Sequence, residues 1–397
     1  MLDVFGGLPN VTDYHIMWSG LQPIPDSPVP FLTAVFQPNL RTLSLEISLE
    51  NVESLLSPSY TIRNLEELAL VLRIDHANSP PDYHVHILTH HLAPAISRLH
   101  SSLRKLSIRT WEALDLSPLF HAVKFLPSLS HVSLAIPIEA PHIGDPSGVT
   151  ALLRRQRTTL YSLSLRATQY SGAGLTPDAS SLDEWIHDAI TGIHLPSLRE
   201  LDLSSALFPF SASLACVDQF AGTITGLAIT GRYHSYEDVR EVLRAFTGRS
   251  VDERLEWLRL GTLTLTPQLV DLLAREMPQL DRLELLIREI VPHNDELMFE
   301  CMSIRCQIVS FSVIIFLASY RYLLTKQDCP PTRNPIEYQI VNLILPSHFF
   351  KFLFKKDFYT GRILFGNGTT FICEMAASSF DDGVDVAALS ITVRARV

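Results

Sequence analysis

Leu198-Arg199-Glu200-Leu201-Asp202-Leu203 sets aliphatic residues at the first, fourth and sixth places of a hexad. That spacing turns three side chains inward and makes each copy one short strand, because side chains alternate between the two faces of extended chain. The same hexad starts at Leu40, Leu65, Leu103, Leu160, Leu255 and Leu280. Conservative variants start at Leu129 (with Val132 and Leu134) and at Ile224 (with Leu227 and Ile229). Successive starts lie 25, 38, 26, 31, 38, 26, 31 and 25 residues apart. A unit of 25 or 26 residues therefore repeats, with extra loop material in four of the turns.

Between hexads the apolar period lengthens to that of a helix. Ser235-Tyr236-Glu237-Asp238 precedes a stripe at Val239, Val242, Leu243 and Phe246, with acids in the first turn and Gly248 after the last. Thr266-Pro267 places a cap residue and a first-turn proline ahead of Leu269, Val270, Leu272 and Leu273. Further helices are expected near 83–99, 117–125, 148–156, 182–192 and 213–221. Pro127, Pro196 and Pro278 sit where a helix must end and a strand restart, since proline removes a donor and disfavours helix in its predecessor. Each unit is too small to bury its own apolar face, so neighbours stack. Period and pattern are those of leucine-rich repeats. The expected fold is α/β: a right-handed leucine-rich-repeat horseshoe over residues 1–292, with parallel strands on the concave face and helices on the convex face.

The repeats lack the Asn or Cys that commonly fills the ninth place. It holds Ser48, Arg73, Trp111, Pro137, Thr168, Ala206, Arg232, Leu263 and Arg288. In phrases such as Leu195-Pro196-Ser197-Leu198-Arg199-Glu200-Leu201-Asp202-Leu203-Ser204 and Leu255-Glu256-Trp257-Leu258-Arg259-Leu260, residues 1–292 resemble the irregular arrays of fungal F-box/leucine-rich-repeat proteins. That resemblance implies a protein-binding role: the repeats hold a substrate, while an amino-terminal F-box docks on the linker subunit of a cullin-type ubiquitin ligase. No F-box is read ahead of the repeats. Leu8-Pro9-Asn10-Val11 reads as a degenerate repeat start, and Pro23, Pro25, Pro28 and Pro30 as a loop. The linker subunit is thus a partner only if an F-box is supplied. The alternative is a stand-alone scaffold or inhibitor-like repeat protein with no ligase connection.

The net charge of −10 resides in residues 1–293, because residues 294–397 hold equal numbers of basic and acidic side chains. An acidic repeat body lacks the footprint that grips phosphates, so nucleic acid is not an expected partner. Five cysteines, odd in number and without a Cys-x-x-Cys pair, specify neither a disulfide framework nor a metal site and suit a reducing compartment. The first residues lack a basic stretch followed by an apolar run, so no secretory signal is read and a cytoplasmic or nuclear location is expected.

Strand alternation exposes the third, fifth and seventh places of each hexad. The fifth places are small and weakly polar over most of the array (Ser44, Ala69, Ser107, Ser133, Ser164) and charged toward its end. Glu200, Asp202, Trp257, Arg259, Arg282 and Glu284 join an aromatic to charges of both signs, the composition of binding hot spots. Arg109 and Arg166 form a second candidate pair. His86 and His90 would share one helical face, but Ile87 stands where the zinc-protease motif needs its glutamate and no third ligand is indicated. No catalytic residue, metal site or cofactor is assigned.

After residue 292 the hexads stop. Residues 293–397 are expected to be a tail of uncertain fold, partly disordered or foreign to the family. Arg305 and Arg321 bracket the apolar run of residues 308–320 at a spacing too short for a membrane helix, so a buried strand or helix is expected there. Phe365-Gly366-Asn367-Gly368-Thr369 reads as a turn.

Overall fold

The computed structural model describes residues 12–18 and 39–290, apart from 57–61, 63, 75–80, 111, 113, 140–141, 170–176, 248–254 and 279, together with six strands beyond Ser312. The expectations for Leu8–Val11, the proline cluster, Trp111 and the Phe365–Thr369 turn lie outside these residues. The chain forms two compact units, Met1–Ile229 with Val251–Glu253, and Thr230–Ser250 with Arg254–Val397.

The first unit is α/β, with parallel strands in chain order. They are β1 (Asp13–Trp18), β2 (Thr42–Ser48), β3 (Glu67–Arg73), β4 (Lys105–Thr110), β5 (His131–Pro137), β6 (Ser162–Thr168), β7 (Glu200–Asp202) and β8 (Gly226–Ile229). From β2 on, every strand starts two residues after the first residue of a hexad, because that residue is buried at the entry and the chain extends after it. Strand β1 adds a copy that the leucine spacing does not disclose: Tyr14 and Ile16 take the places of Leu43 and Leu45 in register.

One backbone device repeats at each entry. The carbonyl of the second hexad residue has two lone pairs, and both are used by the next repeat. Arg41 O accepts from Glu66 N and Glu67 N, Glu66 O from Arg104 N and Lys105 N, and Arg104 O from Ser130 N and His131 N, at 2.7–2.9 Å. Ser130, Tyr161 and Arg199 continue the series. The contact depends on no side chain, which is why hexads of different composition stack in one register.

Inward side chains line up across the strands, as in Ile108–Leu134–Leu165. They meet the apolar faces of α1 (Leu49–Leu55), α2 (Pro81–Ile87), α3 (Ala93–Arg98), α4 (Ser117–Ala122), α5 (Pro146–Arg155), α6 (Ala179–Ile190) and α7 (Phe210–Phe220). Asp145 and Asp178 cap α5 and α6, accepting from Ser147 N and Ser181 N. A π-turn, Leu88–Leu92, joins α2 to α3.

With no Asn or Cys ladder at the ninth place, other side chains tie one repeat to the next. Arg155, the last residue of α5, donates to the carbonyls of Phe120, His121 and Val123 around the end of α4. Gln156 is fully buried, and its amide, oriented to satisfy both groups, clasps the N–H and C=O of Leu126 at 3.1 Å each. Gln156→Ala should therefore strand a buried donor and acceptor and lower the stability of the first unit by about 2 kcal/mol. A denaturant midpoint unchanged from that of the parent chain would refute this.

The second unit contains α8 (Tyr236–Arg244), β9 (Trp257–Leu265), α9 (Pro267–Glu276), β10 (Arg282–Ile290) and β11 (Ser312–Leu317), with β9, β10 and β11 parallel and adjacent. Ser235 and Asp238 form a reciprocal capping box for α8, and Thr266 caps α9 by accepting from Leu269 N. The apolar run around 308–320 supplies a strand: β11 pairs in parallel with β10 from Ser312 opposite Arg282 to Leu317 opposite Ile287. Two antiparallel sheets follow, β12 (Asn342–Leu345) with β13 (His348–Lys351), and β14 (Thr360–Leu364) with β15 (Thr370–Ser378) and β16 (Ala388–Ala395). Among the described residues no helix is long and apolar enough to cross a membrane.

Candidate functional site: the outward strand rows

The residues singled out in the sequence fall into two groups. Arg109 (β4), Arg166 (β6), Glu200 and Asp202 (β7) belong to the first unit, and Trp257 and Arg259 (β9) with Arg282 and Glu284 (β10) to the second. All stand at alternate strand positions facing away from the leucine rows.

In the first unit, register places Arg109 beside Ala135 and Ala135 beside Arg166. The two arginines are thus two strands apart, roughly 10 Å at the usual strand spacing. Arg166 is committed elsewhere: its Nη2 donates to Asp202 Oδ2 at 2.9 Å. Asp202 also accepts from Ser204 N at 2.9 Å and from the Ser164 hydroxyl at 3.3 Å. Burial works to raise the Asp202 pKa, but the Ser204 bonds and the Arg166 charge outweigh it and hold the carboxyl below its ordinary value. Of the second candidate pair, Arg166 is thus ion-paired with Asp202 on the adjacent strand, while Arg109 stands two strands away from it.

Glu200 lies in a row that the hexad's fifth places do not reveal. Its third-place neighbours run Glu67, Lys105, His131, Ser162 and Glu200 across β3 to β7. Lys105 Nζ and Glu67 Oε1 are 2.6 Å apart. His131 is half-buried; desolvation and Lys105 push its pKa down, while Glu200 and Glu67 pull it up. The Tyr161 ring, 42% exposed, stands 6.0 Å from the His131 ring and gives this margin an aromatic surface. Reading the third places as a lateral row, as the common register requires, is the signal that would have found Lys105 and His131.

The expected exposure of the outward places is corrected at several residues, Glu46 and Thr230 at 9% exposed among them. Ala228 is 3% exposed because its methyl sits beside the longer Asp202 opposite it in register. Glu284 is also 3% exposed, since its carboxylate lies between two guanidiniums. Its Oε2 is 3.4 Å from Arg259 Nε and its Oε1 is paired with Arg282 Nη2. Trp257 is half-buried, with the Arg282 guanidinium carbon 5.8 Å from its ring centroid.

The histidine stretch folds as the π-turn and the helix before it. That turn brings both later rings toward His86: centroids are 4.7 Å away for His90 and 5.4 Å for His91. Among the described residues no group of three or more His, Cys, Asp or Glu side chains is placed to hold a metal ion.

No protein-family model and no curated protein matches the chain. Among solved structures, the crystal structure of the yeast Rad7 and Elc1 complex aligns with 75% of this chain and 85% of that chain, at 13% identity and a TM-score of 0.32. A score of that size establishes neither a shared fold nor a shared partner.

Proposed function

We propose that this chain is a non-enzymatic protein-binding module, a right-handed leucine-rich-repeat horseshoe whose concave strand face holds the partner. The observation that supports this reading is the lateral order of the outward rows, where serine and alanine at the fifth places lie between Glu67, Lys105 and His131 on one side and Arg109 and Arg166 on the other. A floor of short side chains beneath taller polar margins accommodates a partner without a deep pocket. By its resemblance to F-box/leucine-rich-repeat proteins, the chain serves as the substrate-recognition arm of a cullin-type ubiquitin ligase, in the cytoplasm or nucleus. A stand-alone scaffold or inhibitor-like repeat protein with no ligase connection is the second reading.

The test is Trp257→Ala in the full chain used as bait, with recovered proteins quantified against the parent chain. Recovery of the specific partner should fall at least about fivefold, because interface aromatics dominate binding energy, while the far-ultraviolet circular dichroism stays unchanged. Equal recovery with a folded variant would remove Trp257 from the site.

A further inference from the structure

In the second unit, a nearly buried carboxylate holds two arginine side chains whose heads remain at the surface. Register sets Arg282 opposite Trp257 and Glu284 opposite Arg259 on the paired strands β10 and β9. The Glu284 side chain is 5% exposed, while those of Arg259 and Arg282 are 41% and 55% exposed. Each Glu284 oxygen faces a different guanidinium. Arg282 is held a second time, by the face of the Trp257 ring.

Such restraint lowers the entropy that two long side chains lose when they grip a ligand. A guanidinium carries five N–H donors, more than one carboxylate oxygen can accept from Arg282. The buried indole Nε1 of Trp257 is a further donor, without a hydrogen-bond partner among the described residues. Two guanidiniums and one carboxylate give the cluster a charge of +1 within a chain of −10. A single carboxylate neutralises that excess. A phosphate, carrying about −1.5 to −2 at neutral pH, would overshoot it on an already acidic chain.

We propose that Trp257, Arg259 and Arg282 form a recognition site for an acidic side chain of a partner protein, with Glu284 as the positioning residue. This rests on the reading of the chain as a protein-binding module and names the chemistry it selects. Arg282 and Arg259 grip the incoming carboxylate in paired, charge-assisted hydrogen bonds, and the Trp257 N–H supplies a neutral one.

Fluorescence anisotropy of the full chain with a labelled glutamate-rich dodecapeptide, and with its all-glutamine counterpart, tests this. The acidic peptide should bind at least about tenfold tighter, and added salt should weaken it. Arg282→Gln and Arg259→Gln should each lower affinity about tenfold, whereas Arg157→Gln, which removes the same charge in the other unit, should leave it unchanged. Glu284→Gln separates a built site from bulk charge: it adds net positive charge but frees both guanidiniums, so binding should weaken. Trp257→Phe keeps the ring and deletes the N–H, and should cost about threefold.

Equal binding of the two peptides, retained preference in both arginine variants, or tighter binding by Glu284→Gln would each overturn the proposal. If Trp257→Ala still releases the protein partner while the acidic peptide shows no preference, only the acidic specificity fails. If neither response appears, the protein-binding reading fails with it.

Discussion

Leu134→Ala should destabilise the first unit by about 3–4 kcal/mol, the usual range for emptying a leucine-sized space in a packed core. Leu134 is 1% exposed and sits in the middle of the Ile108–Leu134–Leu165 row. Its neighbours are held by the bifurcated carbonyl contacts at each strand entry, so they cannot slide to fill the void without breaking backbone bonds. In a stacked array each repeat is supported only by its neighbours, and the deficit should weaken β4 and β6 as well as β5. Ser133→Ala, one residue away on the outward face, should change stability by no more than about 0.5 kcal/mol. Equilibrium denaturation of both variants is decisive, and comparable midpoints for the two would contradict the assigned inward and outward faces.

Lowering the pH from 7 to 4 should remove about 3 kcal/mol from the second unit through His234 alone. His234 is 3% exposed and forms a parallel bridge with Leu263 in β9. Desolvation, helped by the Arg232 charge and only partly opposed by Asp238, brings its pKa down from 6.5 to about 4. The unfolded chain therefore takes up a proton as pH falls through 6.5, while the folded chain resists until about 4. Stability is lost across that window and the loss is complete below it. Asp202 works in a separate, more acidic range: its stabilising contribution is present above the unfolded value near 3.8 and is lost as pH falls through its lower folded value. His234→Gln should flatten the dependence between pH 6.5 and 4 and leave the more acidic one in place. Thermal denaturation followed across pH 4–7 checks this, and an identical slope in the variant would refute the assignment to His234.

The strands were legible because leucine spacing and strand alternation express the same geometry. Every hexad from Leu40 to Leu280 leads into a strand, and its fourth and sixth residues are buried. Helix starts were legible where the cap chemistry is local, at Ser235 and at Thr266-Pro267. The short helix α1 was not, since Leu49-Glu50-Asn51-Val52-Glu53-Ser54-Leu55 carries little more than one turn of apolar period. Strand β1 was missed because Tyr14 replaces a leucine and its assignment rests on the backbone contacts that Thr12 O makes to Arg41 N and Thr42 N.

Composition identified the polar residues of the strand face, but their partners depend on register between strands 25 to 38 residues apart in sequence. Hexad spacing alone does not say that Arg166 reaches Asp202 or that Glu284 ends beneath two arginines. Nor does it reveal Gln156, whose buried amide substitutes for a ladder that the ninth places lack. Its position after a helix carries no periodic signal. What the sequence expresses well is the alternation along each strand; what it expresses poorly is the contact between strands.

The most direct measurement is a photo-crosslinking scan of the full chain. Benzoylphenylalanine is placed singly at Ser133 and Ser164 on the outward strand face, and at the exposed Arg154 and Asp188 of α5 and α6. If the strand face holds the partner, Ser133 and Ser164 will give a common adduct and the helix positions none. Adducts confined to Arg154 or Asp188 would place binding on the helices and contradict the strand-face account.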